Sequence, residues 1–130
     1  VGRSNVGKST LLNAALELPL AAVSRRPQTT RTPLLGIVRH GGAEIGFLDT
    51  PGLHKADSKL GREMNRSARD SVRDADVVMF IYRDDVYNLD SPDRGTAEIL
   101  ISKHRNGPTG MVRLAFLDHY TKFANMARGT

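Results

Sequence analysis

Gly2-Arg3-Ser4-Asn5-Val6-Gly7-Lys8-Ser9 has the spacing G-x-x-x-x-G-K-S, and the fold is read outward from it. Gly2 and Gly7 let the backbone curl so that successive N–H groups, those of Asn5, Val6 and Gly7 among them, point inward at phosphate oxygens. Lys8 adds a point charge toward the β and γ phosphates, and the Ser9 hydroxyl is a ligand for Mg²⁺. A helix begins here, so its positive N-terminal end, with Thr10 in the first turn, adds to the cradle. The motif points to a nucleoside triphosphate. Its alternative, a glycine-rich turn before an ordinary helix, leaves the lysine and the hydroxyl unexplained.

A phosphate loop is delivered by a buried strand, yet only Val1 precedes Gly2. The expected fold is therefore α/β: a mostly parallel sheet flanked by helices, with its first strand largely missing. From Ser9 to Leu18 the sequence reads as helix, with Leu11, Leu12, Ala15 and Leu16 on the apolar side and Pro19 ending it. Val23 to Pro33 is polar and Thr-rich, hence a loop. Leu34–Arg39 and Glu44–Leu48 are short strands across a His40-Gly41-Gly42 turn. Residues 58–73 are an amphipathic helix, with Leu60, Met64, Ala68 and Val72 inward and Arg62, Arg66, Arg69 and Arg73 outward. Asp76–Tyr82 is an apolar run of the kind expected in a strand buried on both faces. An acidic loop covers 83–95. Ala97–Lys103 reads as strand for its β-branched isoleucines. Met111–Leu117 and Tyr120–Ala124 read as a closing hairpin, followed by a frayed tail.

With 130 residues, 39% of them hydrophobic and 25% charged, the chain suits one modest core in a single, incomplete domain. The absence of cysteine excludes disulfides and thiolate metal sites. No stretch is long and apolar enough to span a membrane, so a cytoplasmic location is expected. The net charge of +5 raises the question of nucleic acid, but three Tyr, four Phe and no Trp argue against a base-stacking platform. A solvated basic surface is the simpler reading.

Two further motifs follow the loop in order: Pro27-Gln28-Thr29-Thr30-Arg31 and Asp49-Thr50-Pro51-Gly52-Leu53-His54-Lys55. With Gly36-Ile37 and the helix from Leu60 to Asp74, they resemble the Era family of ribosome-assembly GTPases, over residues 1 to about 78. That resemblance implies Mg²⁺ and GTP as ligands, with ATP left open, and slow hydrolysis. By it, Thr30 is the switch threonine sensing Mg²⁺ and the γ-phosphate, and Asp49 holds Mg²⁺ through water together with Ser9. Gly52 offers its N–H to the γ-phosphate, so Lys8, Thr30 and Gly52 carry the catalysis. The family has no glutamine directly after this glycine, and Leu53 stands there here. His54 reads as a solvated loop histidine. Ribosomal RNA or the ribosome is the implied partner, although these residues include no counterpart of the family's RNA-binding KH domain. An Asn-Lys-x-Asp string, which reads guanine, is missing after Tyr82, so a weak preference for GTP over ATP is expected.

The rest resembles another family. Residues 74–88, Ala97 to Gly110 and Val112-Arg113-Leu114-Ala115-Phe116 are similar to the last third of replicative DNA helicases of the DnaB family, which have a RecA-like motor. In that family the Lys-x-Arg pair before Asn-Gly-Pro reaches a neighbouring subunit's ATP, so the resemblance makes Lys103 and Arg105 a trans finger and other helicase subunits a partner. Two solvated bases at a strand end are the simpler reading of that pair. The chain thus reads as the front of a GTPase joined near 74–78 to the back of a helicase. The alternatives to GTP hydrolysis are a helicase-type interaction module and a hybrid with no function.

Overall fold

The computed structural model describes residues 1–17, 33–55 and 57–127. Eight longer elements follow one another: α1 (Lys8–Leu16), β1 (Leu34–His40), β2 (Ala43–Asp49), α2 (Lys59–Asp74), β3 (Val77–Tyr82), β4 (Thr96–His104), β5 (Gly110–Leu117) and β6 (Lys122–Asn125). Helix α1 opens on Gly7, whose φ of 102° is left-handed, and stops where Glu17 turns left-handed and returns its N–H to Ala14 and Asn13. The Leu18–Pro19 end expected from the sequence lies outside the described residues.

The expectation of a mostly parallel sheet is wrong. Strands β1 and β2 form a two-stranded sheet, and β3-β4-β5-β6 form a four-stranded one. Every ladder in both is antiparallel. The reason lies in the connections. A parallel pair needs a crossover, usually a helix, whereas a tight turn forces strands back on themselves. Gly41 and Gly42, with φ of 57° and 78°, make a two-residue turn between β1 and β2. Between β3 and β4 the chain offers only a short 3₁₀ turn, Asp84–Val86, and no crossover helix. Among the described residues, parallel pairing is confined to the isolated bridge of Arg3 with Leu53.

Strand β3 is also less buried than expected. Val78 and Ile81 are buried, but Val77 is 42% exposed and Tyr82 40%. An irregularity at Val78/Met79 shifts the register against β4 by one residue, which changes the face each side chain takes. The core gathers Val6, Ile81 and Ile99, with Leu11, Met79, Leu114 and Phe123 packed around them. Val6 belongs to the glycine-rich loop, so that loop is anchored in the core by its own side chain.

Helix α2 starts at Ser58, whose hydroxyl accepts the Gly61 N–H at 3.0 Å. Met64 and Ala68 are buried as the spacing predicts, while Leu60 is 52% exposed. A groove of ≈ 610 Å³ runs between β2 and β3, lined by Ile45, Phe47, Leu48, Val78 and Met79 among others. Among the described residues, β2 is laddered only to β1, and β3 only to β4. The second edge of β3 also takes two bonds from Val1, whose N–H₃⁺ donates to Met79 O at 2.7 Å while Ile81 N donates to Val1 O at 3.0 Å.

Candidate functional site

The glycine-rich loop is held from several sides. A Cβ at Gly2 would lie 2.6 Å from the Ile81 carbonyl oxygen, so only glycine lets the loop leave β3 this closely. Leu53 N donates to Gly2 O at 3.0 Å, which ties the loop to the segment after β2. Asn5 is left-handed with φ 63°, a conformation asparagine tolerates better than most residues. At the other end, the Phe123 ring packs where a Gly7 side chain would stand, 2.7 Å from the Cβ position.

The ladder of β2 delivers Asp49 to the loop. Its side chain is buried, 5% exposed, and accepts the Ser9 hydroxyl at 2.6 Å. Two residues forty positions apart thus present hard oxygen donors side by side. Mg²⁺ takes such ligands, completing its shell with phosphate oxygens and water, and needs no all-protein cage. The donor set fits that ion. Lys8 donates its ammonium to Arg3 O at 2.8 Å. Burial lowers its pKa, and the Asp49 carboxylate pulls in the opposite direction. A cation held at a desolvation cost is one that an incoming anion stabilises.

Gly52 packs directly on Ser4: a Cβ there would be 2.8 Å from Ser4 Oγ and 3.0 Å from Ser4 N and Cα. Helix α2 secures the next turn, since Asn65 donates Nδ2 to His54 O at 2.7 Å and accepts the His54 N–H at 3.3 Å. His54 is not free as the sequence reading had it, because its Nδ1 sits 3.0 Å from Gly52 O.

Gly2, Asn5, Val6, Gly7, Lys8, Ser9, Thr10, Asp49 and Gly52 are therefore brought together in one place. Thr30, with the whole segment Pro27 to Arg31, lies outside the described residues. Lys103 and Arg105 bind elsewhere: Lys103 Nζ donates to Arg73 O at 3.0 Å and Val72 O at 3.5 Å, at the carbonyl end of α2. Arg105 pairs with Asp76 at 2.7 Å. Two groups at the loop went unnoticed in the sequence. Tyr87 donates its hydroxyl to Ser4 O at 2.8 Å, and the Arg3 guanidinium lies over its ring, 4.3 Å from the centroid. The Ser4 hydroxyl is the second; it is buried and has no hydrogen-bond partner. Ser4 stands at a variable position of the loop motif, and neither residue is singled out by its motif context.

The glycine-rich loop before α1, with Ser9 against Asp49, is the class-defining feature of this chain. Residues 1–113 match the family model described as 50S ribosome-binding GTPase, and the chain belongs to that family. GTPase Era of Ectopseudomonas mendocina is 56% identical over 82 residues, covering 62% of this chain and 27% of the relative. GTPase Era of Clostridium botulinum (strain Langeland) is 46% identical over 100 residues, 77% of this chain and 32% of the relative. The chain thus spans a third or less of the curated relatives it matches. A crystal structure of Era in complex with MgGDPNP and a segment of 16S ribosomal RNA aligns with a TM-score of 0.57 at 42% identity, over 61% of this chain and 27% of that one. A DnaB-like replicative helicase aligns over 43% of this chain and 13% of that one, at 45% identity but a TM-score of only 0.41. Among the described residues no helix is long and apolar enough to cross a membrane.

Proposed function

We propose that this chain binds Mg²⁺ and GTP and hydrolyses the nucleotide slowly. The observation that carries the reading is the Ser9 hydroxyl 2.6 Å from the Asp49 carboxylate. Ser9 and Asp49 would hold the ion, directly and through water, and Mg²⁺ when bound neutralises charge on the phosphate oxygens. Lys8 and the N–H groups of the loop would grip the β and γ phosphates, and the Gly52 N–H would meet the γ-phosphate. Thr30 enters as switch threonine on the motif resemblance alone. Among the described residues no side chain is placed as a strong base, so rate enhancement would rest on positioning and charge. Lacking an Asn-Lys-x-Asp string, the site would prefer GTP over ATP only weakly.

The test is thermal unfolding with Mg²⁺ plus GTP, or ATP, with and without EDTA, for the parent and Lys8→Ala. At a hundredfold excess over Kd, ligand binding to the folded state adds about 2.7 kcal/mol. A midpoint raised by nucleotide in the parent only, and lowered again by EDTA, supports the reading. A midpoint indifferent to both nucleotides rejects it.

Residues 74–130 we read as helicase-like, within one nucleotide-binding unit joined near 74–78, on their motif resemblance to the DnaB family. The in-chain bonds of Lys103 and Arg105 favour a local role, fastening β4 to the end of α2, over a trans finger to other helicase subunits. Ribosomal RNA, which the Era relative was crystallised with, is a partner on family grounds only, as is a cytoplasmic location.

A further inference from the structure

We infer that helix α2 is a binding surface for an RNA backbone, gripping successive phosphates of one strand with Arg62, Arg66, Arg69 and Arg73. At about 100° per residue these four fall within about 60° of one another around the helix axis, one per turn, over about 16 Å of its length. All four are exposed. Among the described residues, the ion pair in this stripe joins Arg66 to Asp70 at 3.9 Å, with side chains 85% and 59% exposed, and such a pair is worth little in water. The side chains of Arg62, Arg69 and Arg73 have no partner there. Glu63, Asp70 and Asp74 lie about 80–120° round from Arg62, so they border the stripe without interrupting it. The buried side, Gly61, Met64 and Ala68, is turned away.

The helix is held along its length. Ser58 caps its start, Asn65 bonds His54 near its middle, and Lys103 Nζ bonds Arg73 O at its end. A fixed stripe loses little freedom when a ligand arrives. Its chemistry selects the partner. A guanidinium stays charged and meets phosphate oxygens two at a time, and phosphates repeat along a strand as these arginines repeat along the helix. No apolar side chain interrupts the stripe; the exposed Leu60 lies about 160° round from Arg62. A protein partner would have no apolar centre to bury there, and a membrane no anchor. Backbone contacts need no base stacking, in keeping with three Tyr, four Phe and no Trp. Membership of the ribosome-binding GTPase family makes the strand RNA. No residue of the stripe belongs to the nucleotide site, so the inference stands apart from that reading.

The experiment is fluorescence anisotropy of labelled oligouridylate, oligothymidylate and oligoglutamate of equal length, titrated with the full chain at several salt concentrations. The parent should bind oligouridylate, with log K falling against log salt at a slope near −2.8, about −0.7 for each of four contacts to a single strand. Changing Arg62, Arg66, Arg69 and Arg73 together to Gln should weaken binding at low salt by about tenfold or more and remove most of that slope. Changing Arg39, Arg94, Arg113 and Lys122 to Gln removes the same charge elsewhere and should weaken it less than about threefold. Lys8→Ala should leave it unchanged. All eight glutamine positions are exposed; should the stripe variant still fail to fold, the pairs Arg62/Arg66 and Arg69/Arg73 changed separately should each remove about half the slope. Oligouridylate that does not bind, equal losses in the stripe and control variants, or a loss in Lys8→Ala as large as in the stripe variant overturns the inference. So does oligothymidylate bound about tenfold tighter than oligouridylate, in favour of DNA, or oligoglutamate bound as tightly, in favour of an acidic protein.

Discussion

Gly52→Ala tests the arrangement of the site through stability alone. A methyl group at this position would stand 2.8 Å from Ser4 Oγ and 3.0 Å from Ser4 N and Cα. The hydroxyl could rotate away, but the main chain of Ser4 is pinned by Tyr87 and by the bridge between Arg3 and Leu53. Overpacking against backbone costs about 1–3 kcal/mol. Against it works the lost freedom of the unfolded chain, worth about 0.4–1 kcal/mol for Gly→Ala where the backbone conformation is compatible. The clash outweighs that gain over nearly the whole range, leaving a net loss of up to roughly 2.6 kcal/mol and about 1.3 at the midpoint of both ranges. At roughly 3–6 °C per kcal/mol for a chain of this size, the melting midpoint should fall by several degrees. Gly110→Ala is the matched control, since a Cβ there meets nothing within 4 Å, and it should be neutral or slightly stabilising. Circular dichroism melts of the three proteins in one buffer suffice. If Gly52→Ala melts with or above Gly110→Ala, the segment after β2 does not rest on Ser4, and the site geometry is wrong.

Two other substitutions separate buried from exposed charge. Arg83 is 8% exposed in its side chain and pairs with Asp85 at 3.2 Å; its guanidinium covers the Phe116 ring at 3.7 Å. Arg83→Ala leaves the mostly buried Asp85 carboxylate with no cation and only the Gly95 N–H, and should cost about 3 kcal/mol, read as a large drop in the urea midpoint. Arg105→Ala breaks a pair whose side chains are 55% and 74% exposed and should cost less than about 1 kcal/mol. A similar loss in the two variants would mean that the burial around Phe116 is misplaced.

Much of the secondary structure was legible because its signals are local. The two glycines after His40 announce the β1–β2 turn, and the four-residue apolar period of residues 58–73 announces α2. Ser9 of the loop and Asp49 at the end of β2 meet at 2.6 Å, a contact that spacing alone does not encode. Sheet direction was not legible, because it depends on what joins the strands. The loop after Tyr82 holds only the Asp84–Val86 turn where a parallel sheet would need a crossover helix, and the sequence reading took topology from the motif instead. Tyr87 and Phe123 were missed for a related reason. Both reach the phosphate loop across long sequence separations, and no periodicity encodes such contacts. Ser4 was seen only as a filler position in the motif, since a side chain's lack of a partner is a property of its surroundings.

Among the described residues, no strand pairs with the edge of β2 away from β1, and the edge of β3 away from β4 carries only the two bonds to Val1, which bears on how this protein behaves in a test tube. An unpaired strand edge is a template for another chain, and proteins usually guard it with lysine, proline or a cover. Strand β2 carries neither lysine nor proline, and Val-Val-Met-Phe-Ile-Tyr in β3 carries no charge at all. Ile45, Leu48 and Val77 are each more than 40% exposed beside those edges. Such a segment has the makeup of cross-β stacking. Heating should therefore end in precipitation that sets in sooner at higher protein concentration, and scans on dilute samples are the ones that return a reversible midpoint.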